Sequence, residues 1–236
     1  VHIISNNYDD VLRMSGSKYM QSDTKFVFRE IKKLLSSNKD EYILFTGMPC
    51  QVAALNNFLG REYKNLYFVD IVCHGITSTK VFEKYAKSIF GDKKLTNIEF
   101  KKKSPWGWHA GINAEFSDGS VYQEPAEKDL FFQAYLRNIS KSSACEKCRF
   151  NHIPRQGDIT MGDFWGISKY NSDWNDNKGT SLILTNTKKG EELYQKITDN
   201  IQKTEEVPLN YAISGNHSLI EPYKNNFRRT KFFREI

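Results

Sequence analysis

The chain has 236 residues, 39% of them hydrophobic and 26% charged, with a formal net charge of +6. That is ordinary for a soluble globular protein and long enough for one large domain or two small ones. No stretch approaches the roughly 20 consecutive apolar residues of a membrane-spanning helix, and the opening VHIISNNYDD has neither the charged nor the apolar region of a secretion signal.

Taken in chain order, the residues alternate between strand and helix patterns. VHIIS reads as a strand, and because no initiator Met precedes it the natural polypeptide is expected to begin upstream. TKFVFREIKKLLSS reads as an amphipathic helix with Phe26, Ile31, Leu34 and Leu35 on one side. EYILFTG is a short apolar strand ending at Gly47, and QVAALNNFLG is a helix that Gly60 is suited to stop. LYFVDIVCHG is a buried strand, followed by the helix TSTKVFEKYAKSIFG with Ser78 or Thr79 near its N-cap. Repeated strand–glycine–helix units imply a parallel sheet, with functional loops at the carboxyl ends of its strands.

From about Leu95 the texture changes. TNIEFKKK and AGINAEFSDGSVYQE read as strands, the latter a hairpin turned at Asp118-Gly119. EKDLFFQAYLRNIS is a helix, then come CEKC in a polar loop, the strand-like DITMGDFWGI, the loop NSDWNDNKG, the strand TSLILTNT and the helix KKGEELYQKITDNIQK. The tail after Glu205 is polar with weak periodicity. The expected fold class is α/β: a parallel or mixed sheet core with helices and an additional β-hairpin-containing segment. The expected organisation is a single domain over 1–236, subdivided into an α/β core (1–94), a cofactor-lining segment (95–205) and a basic tail (206–236).

Basic residues gather at Lys101 to Lys103 and in RRTKFFREI. Such surfaces suit a phosphorylated cofactor or an acidic redox partner. No nucleic-acid-binding motif accompanies them, so nucleic acid is not an expected partner. Aromatics, with 16 Phe, 12 Tyr and 4 Trp, suit either the stacking of a planar ligand or simply a core.

The cysteines are Cys50, Cys73, Cys145 and Cys148. The last two form C-x-x-C, whose sulfurs reach one metal centre from a tight turn, and four thiolates suit a structural zinc or a [4Fe–4S] cluster. Two disulfides lack a secretory context. A thioredoxin-like dithiol would open a helix after a strand. The zinc-deaminase pattern fails because Ala53 stands where a second cysteine is needed after Pro49-Cys50. A nucleophilic Cys50 or Cys73 would take His74 or His109 as base, but neighbours such as Cys73 and His74 on a strand point to opposite faces. Spacing leaves zinc and the cluster both open.

Several loops have the composition of ligand-binding turns. SGSKYMQS combines Gly16, hydroxyls and Lys18 ahead of a helix, where backbone N–H groups and an ammonium suit a phosphate. GDFWGI sets Asp163 and two aromatics between glycines, and DNKGTS is a polar turn before a strand. SPWGWHAG, with Trp106, Trp108 and His109, reads as a structural corner.

In this order, GSKYMQS, LFTGMPCQVAALNNFL, DIVCHGITSTKVFEKY, GWHAG, CEKCRF, DITMGDFWGI and NDNKGTSLILTNTKKGEE resemble the coenzyme F420 hydrogenase/dehydrogenase beta-subunit family, over nearly the whole chain. The resemblance implies an iron–sulfur flavoprotein oxidoreductase that passes electrons between a [4Fe–4S] cluster and FAD, and on to coenzyme F420 or another small soluble acceptor. It implies Cys50, Cys73, Cys145 and Cys148 as the cluster ligands. Gly16, Ser17, Lys18, Tyr19, Gln21, Ser22, Gly47, Gly162, Asp163, Phe164, Trp165, Asn177, Lys178 and Gly179 become candidate flavin- or substrate-binding positions, and His74 a candidate proton donor beside the cluster. It also implies a ferredoxin-like domain or redox subunit as partner and a cytoplasmic location. Bacterial relatives sit among cell-surface polysaccharide functions, so a zinc-stabilised, non-enzymatic binding module in surface-polymer assembly is the competing expectation. Family members carry an upstream cysteine-rich, ferredoxin-like segment that does not precede GSKY in this sequence.

Overall fold

The structure, a computed structural model, describes residues 1–37 and 39–236, with His109 described by its backbone alone. Strands β1 (Ile43–Gly47), β2 (Leu66–Ile71), β3 (Leu95–Lys102), β4 (Gly111–Phe116), β5 (Val121–Pro125), β6 (Ile159–Asp163) and β7 (Ser181–Thr185) form two sheets. One has the order β1-β2-β6-β7, in which β1, β2 and β6 run parallel and β7 antiparallel to β6. The other is the antiparallel set β3-β4-β5. The fold is therefore mixed α/β. The contacts divide the chain into two interleaved units: residues 1–2, 24–74 and 148–222 in the first, and 3–23, 75–147 and 223–236 in the second.

In the first unit, helix Val27–Ser37 and helix Pro49–Leu59 bury Val27, Ile31, Leu35, Val52, Leu55 and Leu59 together with Phe45 and Leu66 of the sheet. The four-residue spacing of Val27, Ile31 and Leu35 sets the buried face. Phe26, expected on that face, precedes the helix and is 66% exposed. Gly60 ends the second helix at φ 68°, its N–H donating to the Asn56 carbonyl, as its position predicts. A further cluster joins Val72, Phe164, Ile167 and Leu182 to Ala212 and Leu219.

Asp158 holds the amino end of β6 in place. Its carboxylate accepts the Phe68 N–H at 2.8 Å and the Thr187 hydroxyl at 2.7 Å, and pairs with the Lys189 ammonium at 3.2 Å. One buried acid thereby ties β2 and the start of helix Lys188–Ile197 to its own strand.

In the second unit, β4 and β5 turn through Asp118-Gly119 with Gly119 at φ 80°, the conformation for which glycine is favoured. Helices Thr79–Phe90 and Leu130–Leu136 belong to this unit. Tyr85, Phe90, Phe100, Ile112, Phe116, Phe131 and Phe132 make its core. Ser78 and Asp129 cap the two helices, Asp129 accepting the Phe132 N–H at 2.9 Å.

The strand expected at the start of the chain is not formed over residues 1–7, and Ile3 and Ile4 are exposed. His2 makes its contact through its side chain instead, stacking on Phe45 at 5.3 Å. The tail after Glu205 carries helices Leu209–Gly215 and Arg229–Glu235. Its weak periodicity conceals Ala212 and Leu219, which are buried in the core of the first unit.

Candidate functional site at the carboxyl edge of the four-stranded sheet

Strand register gathers most of the predicted positions of the first unit along one edge. Gly47 pairs with Asp70, Ile71 with Met161, and Asp163 with Ser181. Because β1, β2 and β6 are parallel, Cys50, Cys73 and Asp163–Trp165 follow three strand ends on the same side. Strand β7 is antiparallel, so Asn177–Gly179, which precede it, lie at that edge too. Ligands of open α/β sheets bind outside the carboxyl ends of their strands.

Close packing builds this edge. Val72 donates its N–H to the Met161 carbonyl at 2.8 Å and lies over Gly162, where a β-carbon would fall 2.7 Å from Val72 Cγ2. Gly162 thus allows the segment leading to Cys73 to lie against β6. At Gly47 a β-carbon would meet Phe45 at 3.1 Å and Gln51 Oε1 at 3.3 Å; Gln51 Oε1 itself accepts the Met48 N–H at 3.0 Å. Cys50 follows as the second residue of helix Pro49–Leu59, in the first turn, where the positive end of the helix dipole favours negative charge.

Beyond Cys148, Phe150 donates its N–H to the Cys148 Sγ at 3.4 Å. His74 Nδ1 is 3.3 Å from the Ser218 hydroxyl, which fixes the ring's orientation. All four cysteines are partly buried. Thiols are the donor chemistry a cluster takes, and Cys50 at a helix start and Cys148 with its Phe150 N–H have surroundings that suit anionic sulfur. Among the described residues no group of three or more His, Cys, Asp or Glu stands ready to hold a metal ion.

The remaining predicted positions have clear surroundings. Phe164 is buried in the core with Val72 and Leu182, whereas Trp165 is 40% exposed. The Asp163 carbonyl accepts from Asn216 Nδ2 at 3.0 Å. Asn177 and Gly179 have φ of 60° and 94°, and Asn177, Lys178 and Gly179 are exposed. Gly16, Ser17, Lys18, Tyr19, Gln21, Ser22 and Cys145 belong to the second unit. There Lys18 donates to the carbonyls of Met14 and Ser15 at 2.7 Å and of Gly16 at 3.1 Å, capping helix Tyr8–Met14. Tyr19 packs edge-on against Phe132 and Tyr135, while Gly16, Ser17 and Gln21 are exposed and Ser22 half-buried. Cys145 stands in the one-turn helix Ser143–Glu146, so the C-x-x-C begins in a helical turn where an irregular loop was expected. The side chain of His109 lies outside the described residues.

Sequence reasoning missed Asn151 and Arg155. Both are 7% exposed, in a segment whose polarity reads as a surface loop. The only signal was position: RFNHIPR follows directly on the C-x-x-C.

A family model for the carboxy-terminal part of the coenzyme F420 hydrogenase/dehydrogenase beta subunit matches residues 40–208. That is most of the chain, and the protein belongs to this family. Comparison with curated proteins gave no match. Among solved structures, the chain is similar to one from the F420-reducing NiFe hydrogenase complex of Methanosarcina barkeri, studied by xenon derivatization. The TM-score is 0.54 at 15% identity, covering 99% of this chain and 73% of that one; at such identity the likeness concerns the fold. Among the described residues no helix is long and apolar enough to cross a membrane.

Proposed function

We propose that this chain is an iron–sulfur flavoprotein oxidoreductase in which Cys50, Cys73, Cys145 and Cys148 ligate one [4Fe–4S] cluster and FAD is the second cofactor. One observation carries the reading. The family match spans all four cysteines, and two of them follow adjacent parallel strands at the sheet edge where such folds bind ligands. When bound, a flavin and a cluster supply exchange between two-electron hydride chemistry and single-electron transfer.

The chain's own residues bind, orient and hold protons. The first turn of helix Pro49–Leu59 favours the thiolate of Cys50. The Phe150 N–H, donated to Cys148 Sγ, tunes that sulfur. His74, held by Ser218, is positioned beside Cys73 to hold a proton. Gly47, Gly162, Asp163, Phe164, Trp165, Asn177, Lys178 and Gly179 shape the flavin and substrate side of the edge. Gly16 to Ser22 are assigned to the phosphate end of the flavin, which requires Lys18 to exchange its carbonyl partners for a phosphate. Coenzyme F420 or another small acceptor is the electron partner, a ferredoxin-like domain or redox subunit the other, and the cytoplasm the location.

Anaerobic purification with iron, sulfide, zinc and flavin analysis on one sample tests this. About four irons and four sulfides per chain, with bound flavin, are expected. A colourless protein with one zinc per chain contradicts it. If cofactors are present, loss of the deazaflavin absorbance on mixing with coenzyme F420 under reducing conditions identifies the acceptor.

A further inference from the structure

Two buried side chains follow the C-x-x-C, and both reach back to the strand end that carries Cys73. Arg155, its side chain 1% exposed, donates from Nη1 to the Phe150 carbonyl at 3.1 Å and from Nη2 to the Ile71 carbonyl at 3.0 Å. Asn151 Nδ2 donates to the carbonyl of Cys73 itself at 3.2 Å and to that of Glu221 at 3.5 Å. Phe150, whose carbonyl Arg155 holds, is the residue whose N–H meets Cys148 Sγ.

Asp70 anchors this arrangement. Fully buried on β2, it lies 3.7 Å from Arg155 Nη2 and accepts the N–H groups of Gln156 at 3.1 Å and Gly157 at 3.2 Å, together with the Thr160 hydroxyl. Burying a guanidinium and a carboxylate is costly, and the return is greatest when the geometry is rigid. A planar guanidinium fork joining two carbonyls from chain segments more than 75 residues apart gives that rigidity, and a lysine ammonium lacks it. Arg155 Nε is buried with no partner among the described residues, so the side chain's surroundings are set by the bonds to the two carbonyls and not by full satisfaction of its own donors.

We infer that Asn151 and Arg155 are positioning residues that clamp Cys148 against the Cys73 strand end, so that two ligands of the proposed cluster stand at a set separation before any metal arrives. The inference rests on the cluster reading for its purpose and on the hydrogen bonds alone for its geometry. Neither side chain touches the reacting groups; each acts through the backbone of a cysteine-bearing segment.

The test separates the two parts. In a Cys50→Ser, Cys145→Ser background, nitroxide labels on Cys73 and Cys148 report the distribution of separations by dipolar electron paramagnetic resonance, with no cluster required. The parent should give one narrow distribution, about twofold broader in Asn151→Ala and in Arg155→Lys. Lys189→Ala, which breaks the ion pair with Asp158 in the same unit, should lose stability without broadening it. In the four-cysteine chain, reconstituted anaerobically, the Asn151 and Arg155 variants should release iron to a chelator about tenfold faster than wild type. If Arg155→Lys does not fold, Asn151→Ala carries the test. Equal widths in parent and Asn151→Ala, or equal broadening by Lys189→Ala, overturn the clamp. A wild-type chain that takes up no iron and sulfide removes the cluster reading and leaves the label widths to decide the clamp.

Discussion

Val72 lies so closely over Gly162 that a β-carbon on the glycine would stand 2.7 Å from Val72 Cγ2. Val72 is also the residue before Cys73, so the packing of one strand pair decides where a candidate ligand emerges. Gly162→Ala should therefore lower stability by about 1–3 kcal/mol, the usual range for overpacking a core. Equilibrium denaturation in urea checks this. An unchanged midpoint would mean that Val72 moves freely, and that the edge is less firmly built than its contacts indicate.

Asp158 makes the corresponding anchor at the other end of β6. Asp158→Ala leaves the Phe68 N–H without its partner and breaks the ion pair of Lys189, whose ammonium keeps the Leu66 carbonyl, and should cost on the order of 3 kcal/mol. The same denaturation experiment reads it. Asp118→Ala, at an exposed turn in the other unit, should cost well under half as much.

Tyrosine ionisation offers a pH test. Burial, then the hydrogen bond to the Asp129 carboxylate, holds the Tyr85 phenol far above its usual 10. Tyr122 is pushed up to about 12 by burial and then by the charge of Asp129. Burial, followed by the charge of Cys145, pushes Tyr223 up to about 12. These phenols are neutral in the fold where the unfolded chain would ionise. Their contribution is fully present below pH 10 and declines as pH rises from there through 12. In a phenolate absorbance titration of the folded protein, Tyr85, Tyr122 and Tyr223 should stay un-ionised through pH 10, so that their part of the phenolate signal appears only above it. All tyrosines titrating together near pH 10 in a folded protein would contradict the burial.

What could be read in the sequence was local. The periods of Val27, Ile31 and Leu35, the Gly60 stop and the Asp118-Gly119 turn each follow from a few neighbouring residues, and the parallel pairing of β1 and β2 from two strand–helix repeats. The exposure of Phe26 was not legible, because one residue's shift in a helix start moves a side chain off the buried face. VHIIS has a strand's composition, but nothing in a local pattern says whether a partner edge is available. The interleaving of the two units was also hidden, since it depends on which distant segments meet.

The candidate site divides the same way. Cysteine types and the C-x-x-C spacing are visible in one dimension. Asn151 and Arg155 are not, because their partners at Cys73 and Ile71 are more than 75 residues away and a polar run such as RFNHIPR has the composition of any surface loop. Lys18 shows what local composition leaves out. Its glycine- and serine-rich setting suits a phosphate, yet the ammonium is long enough to fold back on the carbonyls that end helix Tyr8–Met14.

The central claim is that four cysteines act as one ligand set. The most direct measurement is the electron paramagnetic resonance spectrum of the dithionite-reduced, anaerobically reconstituted chain, with iron and sulfide counts, for wild type and for Cys50→Ala, Cys73→Ala, Cys145→Ala and Cys148→Ala separately. A single reduced-cluster signal with about four irons per chain in the wild type, lost or converted in every one of the four variants, is the predicted result. A wild-type signal that survives unaltered in any one of them would contradict the ligand set.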